Sequence, residues 1–271
     1  MFAEMGEAMK RRIACVVMML GGLAGCCAED ERKRQQDLSG LEEIRIDYTH
    51  LGWGSSEEHF TITPSADASE FVLQGRYETH RGRMIEVDQR VAAGKVGDFI
   101  GHLESDAWTR ANGIHALSQR LDRRSLRDSE PAIRFSRSRC TPEELRLLAR
   151  RHLGRNAMVA LVDRHYAHRV SWTDDYPMAV VQIRWRGKPT FVMSSQSQKA
   201  LMLPWDAGEP ADMPPASGEN WSVPVSLSLQ AMLPPASQTF QRLDGISRME
   251  YMLGVDVMLM ANRQCDALRK S

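Results

Sequence analysis

The chain has no charge of one sign in excess: 35 Lys and Arg residues balance 35 Asp and Glu residues. Binding to phosphate backbones calls for a local surplus of Lys and Arg, so the balance argues against nucleic acid as a partner. Lysine itself is scarce, six residues against 29 arginines. That skew is of the kind GC-rich codon usage produces. No apolar run reaches the roughly 20 residues that cross a bilayer as a helix, so no transmembrane span is expected. There is no Cys-x-x-Cys pair and no Cys/His spacing of a zinc site. Gly-x-Ser-x-Gly, Ser-x-x-Lys, His-Glu-x-x-His and a Gly-rich phosphate loop are also missing. The sequence therefore offers no support for an enzyme, a metal site or a cofactor. What it does have is 271 residues, 42% of them hydrophobic and 26% charged. That is enough for one large or two small domains with a sizeable core, and too apolar for wholesale disorder.

The N-terminus reads as an address. Lys10-Arg11-Arg12 precede a short apolar run from Ile13 to Leu20, and Gly21-Gly22-Leu23-Ala24-Gly25-Cys26 follows. A basic segment, an apolar stretch and small residues before a cut describe an export signal. Met9, directly before the basic residues, makes the better start, with Met1 the alternative. Leu23-Ala24-Gly25-Cys26 resembles the lipobox of bacterial lipoproteins. The resemblance implies that Cys26 takes a diacylglyceryl group, that signal peptidase II cuts before it, and that the new N-terminus is acylated. Residues 1–25 then leave the fold, and the mature chain keeps 32 basic and 33 acidic residues. Several acyl chains, each adding about 0.8 kcal/mol per buried CH₂, hold the protein permanently at a membrane. In the family an Asp after the lipidated cysteine retains the protein at the inner membrane. Here Cys27 occupies that position, which implies the periplasmic face of the outer membrane.

That compartment oxidises thiols. Cys15 leaves with the signal and Cys26 carries lipid, so Cys140 and Cys265 are the two cysteines of the folded region, and a disulfide between them is expected. Two free buried thiols are the alternative. Cys27 is left over in a highly charged tether, residues 26–40, which has almost nothing to bury.

Beyond the tether the pattern predicts an α+β fold of antiparallel sheets with packed helices. Ile44 to Tyr48 alternates apolar and polar, the period of a half-buried strand, and strands follow around Phe60, Phe71 and Val87. Val96, Phe99, Ile100 and Leu103 mark a helix. The Arg-rich stretch 109–139 reads as a long surface connection with one or two helical turns. Thr141-Pro142-Glu143-Glu144 opens a helix with a capping box. Strands from Val180 to Trp185 and Thr190 to Met193 come next, then a helix over Val225 to Leu233 stopped by two prolines. A long helix from about Asp244 to Ala267 carries the stripe Ile246, Met249, Leu253, Val257 and Met260. Strands followed by a helix occur twice, which divides the body at 41–139 and 140–271 into two loosely repeated halves. The C-terminal stripe is either a core face or a Met-rich docking face.

Two groups of residues invite a functional reading. Asp163, His165 and His168 would ligate a metal on a helix. Surrounding β-formers instead predict a strand, which sends the histidines to opposite faces and leaves no metal site. Asp174-Asp175 reads as an Asx turn in place of a calcium loop. Trp53, beside Ser55, together with Trp205 and Trp221, falls on loops, where a tryptophan either anchors a partner or packs inward as a lid. Ser217-Gly218-Glu219-Asn220-Trp221 resembles the Ser-Gly-x-x-Tyr loop with which periplasmic lysozyme inhibitors plug a muramidase cleft, with Trp in place of Tyr. The overall design is similar to immunity lipoproteins that guard bacteria against wall-degrading effectors. The resemblance implies an envelope binding protein with Trp53, Ser55, Trp205, Ser217 and Trp221 at the partner interface. The rival reading is a structural or assembly lipoprotein held through its C-terminal helix. A third, an unrecognised hydrolase, would turn over peptidoglycan.

Overall fold

Strict alternation builds the first strands. β1 (Leu41–His50) turns Ile44, Ile46 and Tyr48 inward and Arg45, Asp47 and Thr49 outward. β2 (Ser56–Pro64), β3 (Glu70–Glu78) and β4 (Met84–Ala92) continue the same division. In the computed structural model, which describes residues 38–50, 56–67, 69–79, 82–103, 109–129, 138–167, 176–208 and 221–270, they lie in one antiparallel sheet. Its order is β4-β3-β2-β1-β5-β6-β7, where β5 is Met178–Trp185, β6 Phe191–Gln196 and β7 Asp206–Ala207. Register keeps the apolar residues on one side: Ile46 lies opposite Phe60 in β2 and opposite Val181 in β5.

β1 thus hydrogen-bonds to strands from both expected halves. The boundary at 139/140 does not separate two sheets, because the apolar face of the first four strands continues directly onto β5 and β6. The fold also begins before the expected end of the tether: Leu38 is buried and the Gly40 carbonyl accepts from the Arg186 amide.

Helices cover the apolar face. α1 (Ala93–Leu103) buries Val96, Phe99 and Ile100. The connection expected over 109–139 is instead largely structured in its described part. α2 (Arg110–Arg120) and α3 (Arg123–Arg127) start at Thr109 and Asp122 caps and bury Ile114, Leu117 and Leu126. These few apolar residues, spaced for one helix face, outweigh the arginines between them. α4 (Pro142–Ala149) has the expected capping box, with Thr141 and Glu144 satisfying each other's amides. After a 3₁₀ turn (Arg150–Leu153), α5 (Arg155–Ala167) replaces the strand expected near His165. Met158, Leu161 and Val162 recur at helical spacing and are buried, and this packing overrides local β-propensity. α6 (Val223–Met232), α7 (Gln238–Leu243) and the long α8 (Ile246–Leu268) complete the layer. In α8 Met249, Leu253 and Val257 are core residues, so the expected stripe is the face that closes the fold.

Two long-range ties hold the layers. Cys140 and Cys265 form a disulfide that joins the start of α4 to the last turns of α8 across 125 residues. Glu58 of β2, fully buried on the inner face, ties the sheet to α7. Its carboxylate accepts from the amides of Gln238 and Thr239 at 2.6 and 2.8 Å and from the Thr239 hydroxyl at 2.5 Å. Burial pushes the Glu58 carboxyl above its ordinary value, against the pull of these hydrogen bonds.

Reducing the disulfide is expected to lower the urea midpoint, with an upper limit of about 4–5 kcal/mol from loop-closure entropy. Glu58 gives a pH signature of defined sign. Because folding raises its pKa above 4.5, its favourable contribution is complete below that value and is lost as pH rises through the raised one. Asp206, also raised by burial, contributes a slope of the same sign, so denaturation across that window should show a steeper loss of stability with rising pH in the native chain than in Glu58→Gln, and equal slopes would contradict the role of Glu58.

Candidate functional site

The outward residues of the sheet form rows across the strands. One row runs Glu86, Arg76, His59, Asp47 and Val180, and the next runs Asp88, Gln74, Thr61, Arg45 and Gln182. All of them are exposed or half-buried, while their inward neighbours in β1, β2 and β5 are buried. Among the described residues no helix packs on this face. An open depression of about 830 Å³ lies in it, lined by residues of β1 to β4 that include Arg45, His59, Arg76 and Asp88. Gly75 permits this shape. A Cβ there would sit 2.1 Å from the His59 carbonyl oxygen and 2.9 Å from Phe60 Cα, so β2 and β3 approach as no other residue would allow.

The depression is lined by alternating charge. Asp47 accepts from Arg45 Nε at 2.7 Å and lies 2.7 Å from His59 Nδ1. Asp47 holds the Arg45 guanidinium above its ordinary value, first by hydrogen bonding and then by charge. Arg76 stands directly opposite Glu86 in the register, and Arg90 pairs with Glu70 at 2.6 Å at the edge. Such a surface presents donors and acceptors of both signs at fixed strand spacing. Its chemistry suits a protein surface of complementary charge pattern.

The comparisons find nothing similar. No family model, no curated protein and no solved structure matches this chain.

The residues expected at an interface fall elsewhere. Trp205 is fully buried, and its Nε1–H donates to the Ser226 hydroxyl at 2.8 Å. Trp221 is buried with its ring against the edge of Tyr166, and the Arg110 guanidinium lies 4.8 Å from its ring centre. Both are inward lids, because each indole finds apolar cover from helices distant in sequence. Gly113 of α2 packs so closely on Trp221 that an added Cβ would lie 2.7 Å from it. Trp53, Ser55 and Ser217 lie outside the described residues, as do Cys26 and Cys27. Asp163 pairs with Arg110 at 2.8 Å on α5. His165 stacks edge-on with Tyr166, and His168 lies outside the described residues. Among the described residues no group of three potential metal ligands occurs.

The sheet-face residues were present in the alternation of β1 to β4 as its polar half. What marks them as a site is that no helix among the described residues covers them, which no local pattern reports. Gly75→Ala is expected to lose about 1–3 kcal/mol to overpacking. Arg45→Ala, whose ion pair is exposed, should stay within about 1 kcal/mol of the native chain in the same melt.

Proposed function

We propose that this chain is an exported, lipid-anchored envelope protein whose folded body inhibits a cell-wall-degrading enzyme by docking it on the uncovered face of the sheet. The observation that carries the docking surface is the one-sided helix layer, with the ordered, charged sheet face left uncovered by the described residues. Five strands of about nine residues give that face dimensions of roughly 20 by 30 Å. That is comparable to the ~800 Å² each partner contributes to an interface of standard size.

The lipobox at Leu23-Ala24-Gly25-Cys26 supports the anchor and the periplasmic face of the outer membrane. The Cys140–Cys265 disulfide fits an oxidising compartment. The resemblance to immunity lipoproteins supplies the class of partner. One feature shifts the reading away from a plugging tryptophan loop and toward the sheet: Trp205 and Trp221 are both buried. The rival assembly reading drew on the α8 stripe, and Met249, Leu253 and Val257 of that stripe are in the core.

Mechanistically, a rigid sheet face needs little ordering on contact, so little binding energy is lost to entropy. Acids and bases interspersed along these rows select a partner with the inverse pattern and reject others by like-charge contact.

Two measurements test this. Cells fed labelled palmitate should label the native protein and not Cys26→Ala; label in both would contradict the anchor. Purified full-length chain should inhibit a muramidase acting on peptidoglycan. The pair Arg45→Gln and Arg76→Gln should weaken that inhibition at least tenfold while the variant keeps a cooperative melt, and inhibition unaffected by the pair would place the docking surface elsewhere.

A further inference from the structure

On the opposite side of the molecule a cleft of about 230 Å³ opens where three elements meet. The C-terminal part of α5 supplies His165, the segment before β7 supplies Gln198 and Lys199, and the α7–α8 junction supplies Arg242 and Arg248. Among the described residues of the lining Asp244 is the one acid, against three Lys and Arg side chains. No described residue hydrogen-bonds to the side chains of Lys199 or Arg248. Asp256 is the acid within electrostatic reach of Lys199, and Arg242 also faces the Tyr48 hydroxyl. Burial lowers the Lys199 ammonium from its ordinary value, so an anion there would relieve a desolvated charge.

Ala200 lines the cleft, and the turn that follows it is fully buried beneath. Leu201 and Met202 both take left-handed backbone, φ 60° and 51°, a conformation that costs a non-glycine residue of order 1–3 kcal/mol. Hydrogen bonds overdetermine it: the Ser195 hydroxyl donates to the Met202 carbonyl and the Ser226 hydroxyl to the Leu201 carbonyl. The Tyr166 hydroxyl donates to the Ala200 carbonyl at 3.1 Å, tying α5 to the cleft wall. Gly245 presses against Ala200, where an added Cβ would lie 2.5 Å from the Cα. Strain kept in place beside a cleft is a feature that binding sites use.

The outward face of α8 begins at this cleft. Met252 lines the cleft and is 48% exposed, and Leu259 follows seven residues later on the same helix face at 43% exposure. Val255 lies between them, partly buried. The apolar strip therefore leads away from the cationic cleft for about 10 Å. Asp256, exposed and four residues after Met252, borders this strip on the side of Lys199. Basic side chains at one end and apolar ones leading from it suit an amphiphile with an anionic head.

We propose that the cleft binds the phosphate headgroup of an anionic phospholipid, with Lys199, Arg242 and Arg248 at the phosphate and one acyl chain along Met252, Val255 and Leu259. Arg supplies paired donors for the phosphate oxygens, and Lys199 a point charge. This binding is independent of Cys26 and of the sheet face.

The test uses the full-length chain and short-chain lipids below their micelle concentration, so that partitioning into a bilayer does not enter. Dihexanoylphosphatidylglycerol should bind at least tenfold more tightly than dihexanoylphosphatidylcholine and than inorganic phosphate. Its addition should shift the amide resonances of Lys199, Gly245 and Arg248. Arg248→Gln, an exposed substitution, and Lys199→Gln should each reduce lipid affinity at least threefold. Met252→Ser with Leu259→Ser should bring the lipid down toward the affinity of inorganic phosphate. Equal binding of the two lipids, equal binding of lipid and phosphate, or no shift at these amides would overturn the proposal. Loss of inhibition in the sheet-face variants with lipid binding intact would separate this site from the docking surface.

Discussion

One face of the sheet must leave water, and the architecture follows from that demand. Ile44, Ile46, Phe60, Ile62, Leu73, Val181 and Ile183 fall on one side because side chains alternate along a strand and the register is antiparallel without slippage among these pairs. Each such side chain contributes about 1.5–3 kcal/mol when fully buried. A single sheet cannot bury its own face, so α1 to α8 are recruited to one side. The disulfide and the Glu58 carboxylate then fix particular helices over particular strands. The polar half of the same alternation is left outside, and it becomes the charged depression around His59.

The strands were readable from sequence because the alternation in Ile44 to Tyr48 and Val180 to Trp185 is local. So were the Thr141 cap and the length of α8. The helices over 110–127 were not, since Ile114, Leu117, Leu121 and Leu126 are diluted by arginines and only their shared burial makes them a face. α5 was missed for the related reason that tertiary packing of Met158 and Val162 overrides the β-propensity around His165. Trp205 and Trp221 lie among loop residues and are nonetheless interior, because their cover comes from Ser226, Tyr166 and Gly113, each distant in sequence or on another element.

Neither candidate site has a motif, and physics explains why. The sheet face consists of residues from four strands brought together at strand spacing, so no contiguous stretch encodes it. The cationic cleft joins α5, the turn at Lys199 and the α7–α8 junction, three elements far apart in sequence, and the buried turn just after its Ala200 wall takes left-handed backbone at Leu201 and Met202 that neither residue type prefers. The two lie on opposite sides of the sheet. On the reading proposed above, one face would receive a protein and the other a lipid, which would suit a protein anchored to a membrane by its N-terminus.

Docking on the sheet requires the outer face of β1 to β5 to be open to its surroundings. A soluble paramagnetic probe added to the full-length chain measures this directly through methyl resonances. Broadening of Thr61, Val72 and Val180 with Ile44, Ile62 and Val181 left sharp is the predicted result. Equal protection of both sets would mean that the face is covered, and would contradict the docking surface on which the proposed function stands.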